Sequence, residues 1–246
     1  MKALILAGGR GTRLGVLTQD RPKPMLPIAG IPMIERIMTA IAEQTPIRDF
    51  VLITGYLADV VKTYFGDGSQ WGWTVEYVDQ PSPLGVGHAV NCGAEKLSDS
   101  PFLMTYGDIM LDVANYGRAV KAYEDGLASG TAAVVGLNWV EDPWAGAAVY
   151  LDADGNIQRI QEKPAKGTAM THWNNAGLFV FDPIIFEYTA RVQPSARGEY
   201  ELPDAITAMI ADGRHVAGLP LEGAWRDVGT PEDYEAINHE YGAQSH

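Results

Sequence analysis

The chain has 246 residues, 46% hydrophobic and 20% charged, with 31 acids against 18 bases for a net charge of −13. That is enough chain to bury a core, as one generous domain or two small ones. An acidic surface argues against nucleic acid or an anionic membrane as partner, no apolar run reaches the length of a membrane span, and the short apolar start from Met1 to Gly9 is not a secretory signal. The single cysteine, Cys92, excludes an intrachain disulfide and suits a reducing cytoplasm.

In chain order, residues 2–7 (KALILA) form a continuous apolar run ended by Gly8-Gly9, which predicts a short buried strand. A glycine-rich, basic loop follows to about residue 24. Pro32 stands at a helix start, and Ile34, Ile37, Met38 and Ile41 repeat at helical spacing within 32–43. A strand at 50–54 and a helix at 58–65 come next, then a strand at 73–78 and a helix at 86–97 after PSPLG. A buried strand at 101–105 runs into Tyr106-Gly107-Asp108. Strands alternating with helices imply parallel pairing and an α/β sandwich. Beyond Leu111 the rhythm changes: a helix at about 114–128 precedes strand-like runs at 131–140, 146–151, 156–161 and 177–181. Helices are expected near 183–191, 201–212 and, after Thr230-Pro231, 231–241. With no internal repeat, low-complexity segment or linker, one continuous domain over 1–246 is expected.

The chemistry concentrates at the N-terminus. Lys2, Arg10, Arg13, Arg21 and Lys23 are five of the eighteen bases and are opposed there only by Asp20, which suggests a small anionic ligand rather than a polymer. Residues 6–14 (LAGGRGTRL) directly follow the first strand. A glycine-rich turn at a strand's carboxyl end lets backbone N–H groups approach phosphate oxygens, and ligands of open α/β sheets bind in that crevice. Arg13 can reach a triphosphate, and Lys23, stiffened by flanking prolines in RPKPMLPIAG, supplies a second cation. Like charges about 4 Å apart repel by roughly 4 kcal/mol at an effective dielectric near 20, so stacked phosphates need such cations. The dinucleotide fingerprint fails because Leu14 stands where glycine is required, and the P-loop pattern is absent. Asp108 in YGD and Asp227 in WRDVGT each follow an apolar segment and as a pair could share a hard cation, for which Mg2+ is the natural choice. Gln80 offers both a donor and an acceptor, matching the adjacent oxygen and N–H of uracil or thymine. His88, His172, His215, His239 and His246 show no ligand spacing.

LAGGRGTRL followed by RPKPMLPIAG resembles the signature of sugar-1-phosphate nucleotidyltransferases, and the resemblance covers nearly the whole chain. GDGSQWGWTVEYVDQPSPLG (66–85), EKP (162–164), PSARGEYELPDAI (194–206) and AWRDVGTPEDY (224–234) look like glucose-1-phosphate thymidylyltransferases, whereas LGVGHAVNC (84–92) looks more like uridylyltransferases. The resemblance implies a Rossmann-like three-layer α/β/α (GT-A-like) fold on a mostly parallel, mixed central sheet. It implies a nucleotide-binding half at about 1–111 and a sugar-phosphate-binding half at about 112–246. The nucleotide would be met by Leu6, Ala7, Gly8, Gly9, Gly11, Thr12, Gln80, Gly85 and Asp108. The sugar phosphate would be met by Gly146, Glu162, Lys163, Asn175, Glu199 and Trp225. Mg2+ would sit on Asp108 and Asp227, and Arg13, Lys23 and Lys163 would be the catalytic cations.

The reaction so implied joins a sugar 1-phosphate to a nucleoside triphosphate, UTP or dTTP by preference, and releases pyrophosphate in the cytoplasm. A homo-oligomer is compatible with it. Alternatives are guanylyl or cytidylyl transfer to a mannose-type, heptose-type or non-sugar phosphate, and a non-catalytic sugar-nucleotide sensor. The chain departs from the closest pattern at Ile109-Met110, where Asn commonly follows the acid, and in WAGAAVY (144–150), so the sugar need not be glucose. Because the sequence stops soon after Tyr241, neither a fused C-terminal acetyltransferase nor the extra helices of longer thymidylyltransferases are expected.

Overall fold

A computed structural model describes residues 1–243; His246 and the last residues of the expected 1–246 domain lie outside the described part. The first half places β1 (Lys2–Leu6), the hairpin β2 (Pro27–Ile28) and β3 (Ile31–Pro32), α1 (Met33–Gln44), β4 (Asp49–Thr54), α2 (Ala58–Phe65), β5 (Thr74–Asp79), α3 (Val86–Cys92), α4 (Ala94–Leu97), β6 (Phe102–Tyr106) and β7 (Ile109–Leu111). The second half adds α5 (Ala114–Gly126), β8 (Thr131–Trp139), β9 (Ala147–Leu151), β10 (Ile157–Glu162), β11 (Trp173–Phe181), α6 (Ile185–Thr189), α7 (Leu202–Ala211), β12 (His215–Pro220), β13 (Trp225–Asp227) and α8 (Pro231–Ala243).

Nine strands form one mixed sheet in the order β10-β9-β11-β6-β1-β4-β5, with β8 pairing β11 and β12 pairing β8. β6, β1, β4 and β5 are parallel, whereas β11 runs antiparallel to β6, β8 and β9. Both faces of the sheet are covered. Ala3, Ile5, Phe50 and Leu52 point to one side and pack with Ile37 and Ile41 of α1 and Tyr116 of α5. Leu4, Val51 and Ile53 point to the other and pack with Val90 of α3, Ile185 of α6 and Ile206 of α7. Alternate residues of each strand must therefore both be apolar, which is why these strands read as continuous runs. The result is the three-layer α/β/α arrangement expected. No helix among the described residues is long and apolar enough to cross a membrane.

Several boundaries differ from the sequence expectation. The helix expected over 86–97 is broken at Gly93 into α3 and α4, and the loop expected to about 24 contains short 3-10 turns at Thr12–Thr18 and Lys23–Met25. The strand expected at 177–181 begins at Trp173. Its polar start is hidden from an apolar-run criterion, yet buried Asn174 is fully used: its amide donates to Asn138 Oδ1 and to the Asn175 carbonyl, and its oxygen accepts the Ala147 N–H. The strands β7, β12 and β13, two of them only three residues long, fall below what periodicity detects.

β11 shifts register between Asn175 and Phe179, and Gly177 at the shift has φ 78°. A Cβ there would lie 2.7 Å from the Tyr106 ring and from the end of Ile109, in a backbone region that costs other residues about 1–2 kcal/mol. Gly177→Ala is expected to lower the unfolding free energy by about 2 kcal/mol in urea denaturation, with a cooperative transition retained; an unchanged midpoint would mean that the bulge tolerates a side chain.

Candidate functional site

β1, β4 and β6 run parallel and in register, so Leu6, Ile53 and Tyr106 finish side by side at the sheet's carboxyl edge. The loops leaving them converge because glycine removes the side chains that would hold them apart. Gly8 and Gly55 meet backbone to backbone, and the Gly107 N–H donates 3.0 Å to the Leu6 carbonyl. Between these loops opens a cavity of about 860 Å3, bounded by Gly8, Gly9 and Arg10, by Gly55 and Tyr56, by Gln80 and Gly85, and by Asp108 and Glu199. It lies where ligands of open α/β sheets bind.

At its edge three charges converge. The Lys23 ammonium is 2.7 Å from Asp108 Oδ2 and 3.1 Å from Asp227 Oδ1. The lysine side chain is 8% exposed, against 31% and 42% for the two acids. Each partner is delivered by local structure. The Lys23 N–H donates to the Gly9 carbonyl, and Gly11, at φ 65°, lets the loop fold onto the lysine: a Cβ there would sit 2.9 Å from Lys23 Cβ. β7 pairs antiparallel with β13, setting Ile109 opposite Asp227, and the Val228 N–H donates to the Asp108 carbonyl. Burial pulls the lysine's pKa down, but the facing charges and hydrogen bonds of Asp108 and Asp227 outweigh it and hold it above its ordinary value. The raised direction means that the ammonium stabilises the fold throughout neutral pH; that contribution is lost only in strong alkali, above the unfolded lysine's value.

A second charged group lies on the other half. Arg197 reaches Glu201 Oε1 at 2.7 Å, and Glu162 and Glu199 each at 3.4 Å. Burial and the neighbouring Glu201 charge push the Glu162 carboxyl up, and Arg197 and Lys163 only partly offset this. Lys163 is exposed and adopts φ 40°, unusual for a side chain of its size, while its N–H donates to the Gly146 carbonyl at 2.8 Å. Asn175 accepts the Gly177 N–H and hydrogen-bonds Tyr106, whose phenol burial keeps well above the ordinary range. The Trp225 indole donates to the Ala176 carbonyl and packs against the core.

The expected residues thus fall into three groups. Leu6, Gly8, Gly9, Gln80, Gly85, Asp108 and Glu199 line the cavity. Lys23, Asp108 and Asp227 form the charged cluster beside it. Glu162, Lys163, Gly146, Asn175 and Trp225 belong to the adjoining half, linked to the cavity through Arg197–Glu199 and Asn175–Tyr106. Ala7 is buried with its N–H on the Ile53 carbonyl, and Gly11 supports Lys23. Thr12 and Arg13 are exposed, and the Arg13 guanidinium lies against Gly229, two residues beyond Asp227, rather than on the cavity wall. Sequence reasoning assigned no role to Tyr56, Lys62, Asp79, Tyr106 or Arg197. Arg10 stands inside the glycine motif itself, with its guanidinium carbon 5.1 Å from the Tyr56 ring centre. Lys62 pairs with Asp79, which also accepts the Thr54 hydroxyl; no local signal marks that pairing. Among the described residues no group of three or more His, Cys, Asp and Glu is arranged to hold a metal. Two convergent carboxylates that already share one cation do fit a hard divalent ion that completes its shell with phosphate and water oxygens.

Residues 2–244 match the family model for nucleotidyl transferases. The chain is similar to the low-salt glycan biosynthesis nucleotidyltransferase Agl11 of Haloferax volcanii, 33% identical over 97% of this chain and 65% of that protein. It is also similar to a glucose-1-phosphate thymidylyltransferase of Streptomyces antibioticus, 35% identical over 97% of this chain and 65% of the relative. It thus spans less than two thirds of the length of these relatives. A crystal structure of UDP-glucose pyrophosphorylase complexed with UDP-glucose superposes with a TM-score of 0.88 over 99% of this chain and 98% of that one; at 22% identity the likeness is one of fold.

Replacing Lys23 by Met leaves Asp108 and Asp227 facing each other without a cation. Removing one partner of a fully buried pair costs about 3–5 kcal/mol. Because both acids reach solvent, the expected loss is smaller, about 1–2 kcal/mol by chemical denaturation at pH 7. Unchanged stability would show that the ammonium does not neutralise the pair.

Proposed function

The chain belongs to the nucleotidyl transferase family, and we propose that it joins a sugar 1-phosphate to a nucleoside triphosphate, forming a nucleotide sugar and pyrophosphate. The observation that carries this reading is the Lys23–Asp108–Asp227 cluster set against a glycine-walled cavity at the carboxyl edge of parallel strands. Such a cavity can seat a nucleotide, while the cluster supplies both a cation and two hard oxygen ligands beside its phosphates.

In the proposed reaction an oxygen of the sugar 1-phosphate attacks the α-phosphorus in line. The bond from that phosphorus to the bridging oxygen breaks, and pyrophosphate leaves with the electron pair. The nucleophile already carries negative charge, so no covalent enzyme intermediate is required; catalysis is positioning and charge neutralisation. The loop amides at Gly8 and Gly9 would receive phosphate oxygens, and Arg10, which lines the cavity, adds positive charge to its wall, whereas Lys62 there is paired with Asp79. Arg13, beside Gly229, would stabilise the leaving pyrophosphate. Lys23 neutralises charge at the phosphates. Lys163, in its left-handed backbone conformation, would hold the acceptor phosphate, with Glu162, Asn175, Gly146 and Glu199 oriented to the sugar. A non-glycine residue held in that conformation costs about 1–2 kcal/mol, strain of the kind that concentrates where a side chain must be aimed.

Mg2+ is the proposed cofactor: Asp108 and Asp227 would hold it, and it would supply charge neutralisation on the phosphates. UTP or dTTP is the proposed nucleotide. The relatives named for glucose-1-phosphate thymidylyl transfer and glycan biosynthesis support a sugar phosphate as acceptor. The single cysteine suits a cytoplasmic setting.

Pyrophosphate release should require a nucleoside triphosphate and a sugar 1-phosphate together, and should stop on chelation of divalent cations. Asp108→Asn and Lys163→Ala should each lower turnover by roughly a hundred- to a thousandfold while keeping the wild-type melting temperature to within a few degrees. Near-wild-type turnover in either variant overturns its assignment, and a folded wild-type protein that binds nucleotide yet releases no pyrophosphate with any of glucose, mannose, galactose, N-acetylated or heptose phosphates overturns the transfer reading.

A further inference from the structure

The Gln80 side chain makes two contacts through one atom. Its Nε2 is 3.1 Å from the Gly85 carbonyl oxygen and 3.0 Å from His88 Nδ1. A carbonyl oxygen only accepts, so the end of the amide facing Gly85 is the NH2 group, and the orientation of the amide follows from chemistry. One hydrogen goes to Gly85. The other points at His88 Nδ1, which can receive it only with a free lone pair, so the ring carries its proton on Nε2. Both donors of Gln80 are then consumed inside the protein, and among the described residues no hydrogen bond is made to its Oε1.

The surroundings keep this arrangement rigid. The Gln80 N–H donates to the Thr54 carbonyl at 2.7 Å, which anchors its backbone to β4. Gly85 has φ 101°, and a Cβ there would lie 2.7 Å from the Tyr200 carbonyl oxygen, so its carbonyl is held by a close backbone approach. The same oxygen also accepts the Ala89 N–H from α3. His88, on α3, lies with its ring centre 6.1 Å from that of Tyr200. The Cys92 sulfur is 3.9 Å from its Nδ1, and burial pushes that thiol up, so it stays protonated and adds no charge beside the imidazole.

We infer that His88 is a positioning residue for nucleobase selection: it fixes the Gln80 amide so that only the oxygen faces the cavity. The inference rests on the nucleotide occupying this cavity, as in the function proposed above. An acceptor at that place favours uracil or thymine, whose N3 carries a hydrogen, over cytosine, whose N3 carries a lone pair and would meet the Gln80 oxygen acceptor to acceptor. The sequence expectation gave Gln80 both a donor and an acceptor toward the base; with the donors committed to Gly85 and His88, the acceptor remains. Without the His88 lone pair only the Gly85 carbonyl holds the amide in that orientation, and its NH2 end, turned inward, would suit cytosine.

The test is calorimetric binding of UTP, dTTP and CTP, each with Mg2+, to the wild type, His88→Leu and His88→Asn. The wild type should prefer UTP and dTTP over CTP. His88→Leu should lose about tenfold of that preference, the worth of one hydrogen bond of upper typical strength. His88→Asn, whose side-chain oxygen can stand where Nδ1 stands, should restore it; a purely structural role for His88 would change affinity for all three nucleotides alike. In nitrogen NMR of the free protein at pH 8, His88 should be the Nε2–H tautomer. A wild type indifferent to UTP and CTP, a folded His88→Leu with an intact preference, or an Nδ1–H tautomer overturns the inference. Because binding is read without turnover, an intact UTP preference in a protein that releases no pyrophosphate sinks the transfer reading and leaves this inference standing.

Discussion

Lys23 reaches Asp108 and Asp227 from three separate stretches of chain, and the rest of the site is arranged around that meeting. Two carboxylates drawn together at the end of a sheet repel, by roughly 4 kcal/mol at about 4 Å and an effective dielectric near 20. A cation between them turns repulsion into attraction, and the two acids more than offset what burial costs the charged lysine. The dependence is mutual. The acids need a cation to converge, and the lysine's charge is favoured by the acids against the cost of its burial. A group of this kind can hold phosphate-bearing ligands, because it presents one positive charge and two half-buried oxygen-bearing side chains to the same place.

Holding the cluster against a cavity is a matter of backbone approach. Where strands β1, β4 and β6 end, ordinary side chains would keep the loops several ångströms apart. Gly8 against Gly55 and Gly107 against the Leu6 carbonyl remove that spacing, and Gly11 does the same over Lys23. The cavity walls are therefore largely main chain at the end proposed for phosphates and side chain at the end proposed for the base. This division suits a ligand with uniform phosphates and a distinctive base. Main-chain amides grip oxygen without regard to identity, whereas Gln80, held by Gly85 and His88, offers one defined hydrogen-bonding atom.

The antiparallel second half closes the site from the other side. Arg197 gathers Glu162, Glu199 and Glu201, three carboxylates that would otherwise repel, and Glu199 reaches the cavity wall. Tyr106 does the same for the sheet: it ends β6 on the cavity and is hydrogen-bonded by Asn175 on β11. The Tyr106–Asn175 bond crosses from the parallel half to the antiparallel half, and Glu199 carries the Arg197 group to the cavity wall, so the proposed acceptor site is tied to the nucleotide cavity by direct contacts as well as by the shared sheet.

The sequence by itself determined the parts whose physics is local. Continuous apolar runs gave the buried strands, because a sheet covered on both faces needs apolar residues at every position, and the 3.6-residue repeat gave α1. The glycine and proline residues of LAGGRGTRL and RPKPM marked a loop that brings backbone to a ligand, and YGD and WRD marked acids at strand ends. What only the tertiary structure decided is which distant groups meet. The pairing of β7 with β13, each three residues long, carries too little periodicity to be read, yet it sets Asp227 beside Asp108. The bridging of three glutamates by Arg197, the placement of Arg13 beside Gly229 instead of on the cavity wall, and the capture of both Gln80 donors by Gly85 and His88 likewise depend on chain crossings. Side-chain type states what a residue can donate, accept or neutralise, and it is visible in the sequence. Which of those capacities are already spent on neighbours, and which are left for a ligand, is settled only when the chain has folded.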